Sequence, residues 1–527
     1  SQMQYDFWNN PLVVSAMRIK YRRSSPGIST SLYVLVLLTI GGTLLHYQDS
    51  YTMPPGLAFL MVVLSLQFLI SGALALFTVA NSMNAEVANR TLDFQRIVSL
   101  KPHEILLGKM IGEPALSYFL AMSSVPFALF CWLEGSTSAG TIAWFYVNLA
   151  TFTLGCAAIG TIHTLVLSPQ ASAGGRKNSG SLGMAFFWVP LMFLPSLMAR
   201  GTSWLQESWV GAVVNLCTPI GSLQCLFQGE PWQARISLWG YEIPSLVIAP
   251  VTQLVLTYWI VMAMSRRLQN PIDPPVRRSH TYAALLVFDL IVLGTLYEQW
   301  RVGTSPARVL VQYGAAHVIA SVVLLLWIMP AKQVLQSWLW RFQHRESWLR
   351  SSLLGSRAEI TMVLPMFCLI GVLVFVLGFV VPTSWAPNPL NTPVTRLDLV
   401  QYFSVSSLLI LACGMMNQWF AALLGRTGVM AYCVCLLLIL IVPPIVASLL
   451  VYPDRLRDPD GFPALVANLS PGYFYLTHAD NRNAPFGWIV LGAFALVIFL
   501  VCFYLLRRWL QWQQAMVADK LKRMGVR

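Results

Sequence analysis

Charge is scarce in this chain. Only 10% of its 527 residues are Asp, Glu, Lys or Arg, and 34 basic residues outnumber 21 acidic ones. Soluble domains carry about a quarter charged residues, so this scarcity excludes an ordinary water-soluble fold. Catalytic patterns are missing as well. The chain has no G-x-x-x-x-G-K-[ST] loop to cradle phosphates; Gly108-Lys109 lacks the earlier glycine and opens an apolar segment. ATP hydrolysis by this chain is therefore not expected. No serine stands in a G-x-S-x-G turn, which removes the commonest strand-to-helix nucleophile. Nine cysteines are present, but even Cys433 and Cys435 have no His or carboxylate companions at metal-ligand spacing. They read as apolar fillers, and no bound metal is expected. The start of the chain shows no short apolar core before a small-residue cleavage site, so a cleaved signal peptide is not expected either.

Apolar residues are what the chain has in quantity. They make up 56% of it, and the mean hydropathy is +0.63. A membrane span takes roughly 20 mostly apolar residues. Twelve such windows lie near 28–46, 55–82, 105–133, 140–168, 182–199, 243–265, 281–298, 308–330, 359–382, 398–424, 429–452 and 486–507. The expected fold is all-α, a polytopic integral membrane protein with about twelve transmembrane helices. With the N-terminus inside, 26 of the 34 Lys and Arg residues fall on the inner side. Cytosolic loops collect these residues, so both termini are expected in the cytosol. The net charge of +13 then reads as topology, with anionic lipid head groups as partners. A basic face interleaved with aromatics, apart from the membrane edges, is missing, so nucleic acid is not an expected partner.

Before the first span, Asn10 can cap a helix that has Pro11 at its first position. Leu12, Val13, Ala16, Met17 and Ile19 alternate with Ser15, Arg18, Lys20, Arg22 and Arg23. That pattern fits an amphipathic helix on the cytosolic leaflet, and it also fits a plain basic flank of the span. Between spans two and three, Asn84–Ser99 places Val87, Thr91, Phe94 and Val98 on one side at helical spacing. Glu86 and Arg90 stand one turn apart and can pair. Lys101-Pro102 interrupts the helix before His103 and Glu104 open the next span. The expected element is a short rod across the cytosolic face.

Together the segments NPLVVSAMRIKYRRS and NAEVANRTLDFQRIVSLKPHEILLGKMIG resemble the membrane subunits of type-2 ABC exporters, the ABC-2 (type V) permeases. The matching residues are Glu86, Arg90, Thr91, Leu92, Asp93, Leu100, Pro102, Glu104, Ile105, Leu106, Gly108, Lys109 and Gly112. The resemblance implies that Glu86, Arg90, Thr91, Leu92, Asp93, Phe94 and Arg96 belong to a coupling helix seated in a cleft of an ATP-binding subunit. It further implies that the helix with Pro11, Arg18, Arg22 and Arg23 braces that lever. ATP and Mg would sit in the partner ATPase, with no cofactor in this chain. A periplasmic or membrane accessory protein and a second permease copy are further expected partners. The implied location is the bacterial cytoplasmic (inner) membrane.

The resemblance covers about residues 1–270, one six-span half. Ser265–Thr281 is a Pro-rich basic linker, and residues 271–527 hold a second six-span bundle without a visible sequence repeat. The loop 331–358 takes the place of the first-half rod, with Leu335, Trp338, Leu339, Phe342 and Trp348 among Lys332, Arg341, Arg345 and Arg350, yet it lacks Glu-Arg-Thr-Leu-Asp. It is either a degenerate second docking helix, so that one chain forms a whole channel, or part of an accessory bundle in a pair of chains. The missing motif favours the second.

Ionisable residues in spans are costly and often functional. Glu113 is expected to pair with Lys109 along one helix. His163 and Asp289 are placed near cytosolic span ends and His317 deeper, with no chain of carboxylates joining them. Asn417 and Gln418 read as interhelical hydrogen-bonding groups. Cys217 and Cys225 fall in the external 200–242 segment, where an oxidising compartment permits a disulfide. The main competitor to a permease is a twelve-span ion-coupled carrier, whose signs are broken helices and ionisable groups at the midplane; Pro443-Pro444 in span eleven is one expected break. A membrane enzyme using Asp454, Asp458, Asp460 and Asp480 is a third class, better explained by loop solvation. The wide apolar interior suits an amphiphilic substrate.

Overall fold

The computed structural model describes residues 11–21, 25–46, 54–89, 101–134, 137–162, 235–270, 274–301, 306–329, 363–376, 396–424, 427–450 and 485–523, with isolated positions between these blocks. Thirteen helices carry this part of the chain: α1 (Pro11–Tyr21), α2 (Ser25–His46), α3 (Pro55–Ala88), α4 (Pro102–Gly112), α5 (Ala115–Leu133), α6 (Ala139–Ile162), α7 (Ser245–Gln269), α8 (Arg278–Arg301), α9 (Pro306–Ile328), α10 (Val363–Phe375), α11 (Arg396–Leu424), α12 (Thr427–Leu450) and α13 (Pro485–Arg523). A single hairpin, β1 (Arg235–Leu238) with β2 (Tyr241–Pro244), is the one sheet among the described residues. Nine of the helices are long and apolar enough to cross a membrane, and two shorter apolar stretches lie at Val363–Phe375 and Ala431–Leu440. The protein is an all-helical, polytopic membrane protein. Window 182–199 lies outside the described residues.

Lipid, not water, explains the outward faces. On α2, Ile28, Leu32, Leu35 and Leu38 are each at least 60% exposed. Their spacing puts them on one helical face, and such a stripe in water would be an adhesive patch.

The chain forms two compact units, the first of residues 1–237 and 241–269, the second of 238–240 and 270–527. In the first unit, α2 packs on α3 and α5, α3 on α5 and α6, α5 on α6, and α6 on α7. Polar side chains tie these spans. Tyr33 on α2 donates to Gln67 Oε1 on α3 at 2.7 Å, and Gln253 Nε2 on α7 to Asn148 Oδ1 on α6 at 2.7 Å. Such bonds hold helices together where apolar contact alone gives no preference over lipid.

In the second unit, α8 packs on α9 and α10, α9 on α10 and α11, α10 on α11, and α11 on α12 and α13. Numbering the described spans within each unit, both follow one plan: first on second and third, second on third and fourth, third on fourth, fourth on the last. The second span opens with a proline at its first position in both, Pro55 and Pro306, where the missing N–H costs nothing. The turn Leu238–Gly240 belongs to the second unit. There the Trp239 N–H donates to the Gly294 carbonyl at 2.9 Å and the indole lies against Tyr297. Trp239 and Gly240 both have positive φ, 56° and 82°, as tight hairpin turns demand.

Three expected boundaries change. The span expected at 105–133 is two helices, broken at Glu113-Pro114, because proline has no N–H to continue the ladder. Asn84–Ala88 is the last turn of α3, not a separate rod; nothing in Asn-Ala-Glu-Val-Ala interrupts a helix, and the chain turns only at Asn89. Pro443-Pro444 does not break its span: α12 runs through both, as neighbouring groups in a membrane bundle permit.

Candidate functional site

The best-defined polar constellation in the first unit stands at the root of the loop between α3 and α4. Here α3 delivers Glu86 from its last turn, and α4 delivers Lys109 from its last turn. Lys109 Nζ meets Glu86 Oε1 at 2.5 Å; the lysine is 4% exposed and the glutamate 21%. A lysine so enclosed requires a counter-ion, and this one reaches across to a neighbouring helix, not along its own. The expected Lys109–Glu113 pair is thus replaced. Glu113 Oε1 instead accepts from Ser82 Oγ at 2.7 Å, a second tie between the same two chain segments. At the start of α4, Pro102 takes the first helical position and the Lys101 N–H donates to Glu104 Oε2 at 2.9 Å, one arm of a capping box. The loop between Asn89 and Lys101 therefore leaves from a helix end that the ion pair ties to the last turn of α4, about two turns beyond the end at which the chain returns.

Helix α1 packs on α4. The contact is close because position 112 is glycine: a Cβ there would lie 2.9 Å from Ala16 Cβ and 3.3 Å from Val13 Cα. Val13 is buried and Arg18 exposed, so the amphipathic reading of this helix holds for these two residues. Gly112→Val is expected to lever α1 off α4 while leaving the spans assembled. Overpacking of about 1–3 kcal/mol, expressed in the open population, should speed tryptic cleavage at Arg18 about tenfold; an unchanged cleavage rate would show that α1 does not depend on this contact.

The remaining expected site residues are distributed as follows. Thr91 is exposed, and its hydroxyl donates to the Glu86 carbonyl at 3.3 Å. Pro11 opens α1. Arg22, Arg23, Arg90, Leu92, Asp93, Phe94, Arg96, His163 and Cys225 lie outside the described residues, or have side chains that do. Cys217 carries a free thiol, which burial pushes up to about 11.

In the second unit the structure brings together two residues that the sequence kept apart. Asp289 is not near a helix end but near the middle of α8, and His317 Nδ1 on α9 lies 2.8 Å from its Oδ2. Tyr313, one turn before His317, stacks on the imidazole and donates to the Gly371 carbonyl at 3.0 Å. Gln418 Oε1 on α11 accepts the backbone N–H of Ile360 at 3.4 Å from the bend before α10, not from a helix, and among the described residues the Asn417 amide has no hydrogen-bond partner. Among the described residues no group of three or more His, Cys, Asp and Glu side chains is arranged to hold a metal. Compared with known protein families, characterised proteins and solved structures, the chain matches none.

Proposed function

We propose that the protein is the membrane subunit of an ATP-driven exporter of the ABC-2 kind, moving an amphiphilic substrate with energy from a separate ATPase. The observation that carries this reading is the Glu86–Lys109 clamp at the root of the Asn89–Lys101 loop, braced from the side by α1 through Gly112. A lever transmits a stroke only if its base is rigid, and this base ties the second span to α4, the short helix that leads into the third. Arg90, Thr91, Leu92, Asp93, Phe94 and Arg96 then form the part offered to the ATPase, in which ATP and Mg are held. Both termini lie in the cytosol, as the distribution of Lys and Arg requires, and twelve spans sit in a bacterial cytoplasmic membrane.

The shared packing plan of the two units supports a single chain that supplies both halves of the pathway, in preference to an accessory bundle. A second copy is then not required.

Affinity purification of the full chain from its own membrane, followed by identification of a co-purifying ATPase with vanadate-sensitive activity, tests the assignment. A functional chain that needs a proton or sodium gradient and no ATPase would sink it, in favour of an ion-coupled carrier; the buried Asp289–His317 pair is the one observation on that side. Within the complex, Arg90→Ala with Phe94→Ala is expected to abolish transport into inverted vesicles while ATP hydrolysis and membrane insertion persist. Transport at the wild-type rate would remove the lever from the mechanism.

A further inference from the structure

Two opposed ionisable groups inside a helical bundle call for a reason, because each is costly in a membrane interior. Helix adhesion does not supply one. The first unit achieves that with neutral groups, as Asn148 and Gln253 demonstrate. An Asp–His pair adds what amides lack, a charge that can change.

Asp289 is completely enclosed and His317 is 6% exposed. The hydrogen-bond network assigns the neutral imidazole an Nδ1–H that donates to Asp289 Oδ2. Nε2 is then a lone-pair acceptor, and among the described residues it has no partner. It packs against Gly371, where a Cβ would lie 2.5 Å away, so only glycine fits beside this buried nitrogen. His317 also borders a cavity of about 20 Å³, lined among others by Tyr313, Tyr402, Ser406 and Ser407. That volume holds one water molecule. Tyr313 from α9 stacks on the imidazole, and the other titratable groups lining the cavity with His317 are Cys368 from α10 and Tyr402 from α11; no Lys, Arg, Asp or Glu lines it.

We infer that Asp289 and His317 form a proton-binding site within the second unit, loaded through the adjoining cavity. A metal or sodium ion would need several oxygen or nitrogen ligands around it, whereas one carboxylate and one imidazole are present. A proton needs one lone pair, and Nε2 provides it. In the loading step a hydronium ion in the cavity gives its proton to Nε2: one O–H bond breaks, one N–H bond forms, and a water molecule remains. The pair passes from one net negative charge to none, with the imidazolium held against the carboxylate. On loading, Nε2 changes from acceptor to donor. This goes beyond the ATP-driven reading and does not depend on it.

The test uses the full chain in lipid nanodiscs with 15N-labelled histidine. Of seven histidines, six are replaced by glutamine so that only the His317 signal remains. A reversible change of the Nε2 resonance between its lone-pair and protonated forms, within pH 5 to 9, is the expected result, with a midpoint displaced in Asp289→Asn. A resonance fixed in one form across that range would overturn the inference, as would an unchanged midpoint in Asp289→Asn. Should the six-fold variant fail to assemble, the wild-type spectrum minus that of Asp289→Asn/His317→Gln, which keeps a neutral hydrogen bond in place, reports the same titration.

Discussion

Replacing Lys109 with methionine is expected to destabilise the first unit by about 2–3 kcal/mol. Breaking a fully buried ion pair from one side costs ~3–5 kcal/mol, because the surviving charge stays dry. Glu86 is a fifth exposed and recovers some hydration, which places the loss at the lower end. Methionine has nearly the volume of the lysine stem, so packing contributes little. In detergent the melting temperature should fall on the order of 5 °C for a unit of this size. Glu86→Gln alone should cost at least as much, since the surviving Lys109 ammonium is the more enclosed of the two charges and an amide oxygen does not neutralise it. The decisive comparison is Glu86→Gln with Lys109→Met. Removing both charges takes away the orphan, so the pair should recover more than half of the single loss. Strict additivity would mean that the two residues merely lie close. Under the proposed exporter reading, Lys109→Met should also loosen coupling to the ATPase, because a soft lever base loses part of each stroke.

The same constellation indicates how far the sequence can be read. Apolar windows located eleven of the described membrane helices, because lipid demands one simple property over a fixed length. The polar segment at Asn84–Gly112 stood out for the complementary reason, that charges between spans need an external explanation. What the sequence could not supply was partnership. Glu86 and Arg90, or Lys109 and Glu113, satisfy the i, i+4 rule along a helix, and local spacing favours them; the tertiary structure pairs Glu86 with Lys109 across two helices. Asp289 and His317 are separated by 28 residues and share no local pattern, so only the packing of α8 on α9 reveals them. The helix boundary was also misplaced at Glu113-Pro114, although proline announced it.

The packing plan common to the two units was nearly invisible in the sequence for a similar reason. Membrane helices conserve which neighbour they touch through small residues at a few points, and the lipid-facing positions carry little information beyond apolarity. Only faint echoes of the common plan survive in the letters. One is the proline that opens the second span of each unit. Another is the arginine pair on the last helix, Arg266-Arg267 on α7 and Arg507-Arg508 on α13.

Glycines in the fourth span of each unit provide the second large effect, and they separate a rigid contact from a soft one. On α6, a Cβ at Gly160 would lie 2.7 Å from the Leu76 carbonyl oxygen and 3.3 Å from the Ala80 nitrogen, both backbone atoms of α3. Neither can move unless the whole helix moves. On α11, a Cβ at Gly414 would collide with Leu364, but with the methyl end of its side chain. A leucine rotamer can change without displacing α10. Alanine improves helix propensity at either position by ~1 kcal/mol relative to glycine, so a destabilised variant must overcome that gain. Gly160→Ala is expected to be destabilised by about 2–3 kcal/mol net, near the upper range for overpacking, and Gly160→Leu should not assemble. For Gly414→Ala the strain and the propensity gain should nearly cancel, leaving a change below about 1 kcal/mol. Thermal melts of both variants in the same detergent decide the matter. Equal losses would show that α3 and α6 are no more tightly apposed than α10 and α11, and the rigid second-to-fourth span contact beneath the Glu86 clamp would have to be abandoned.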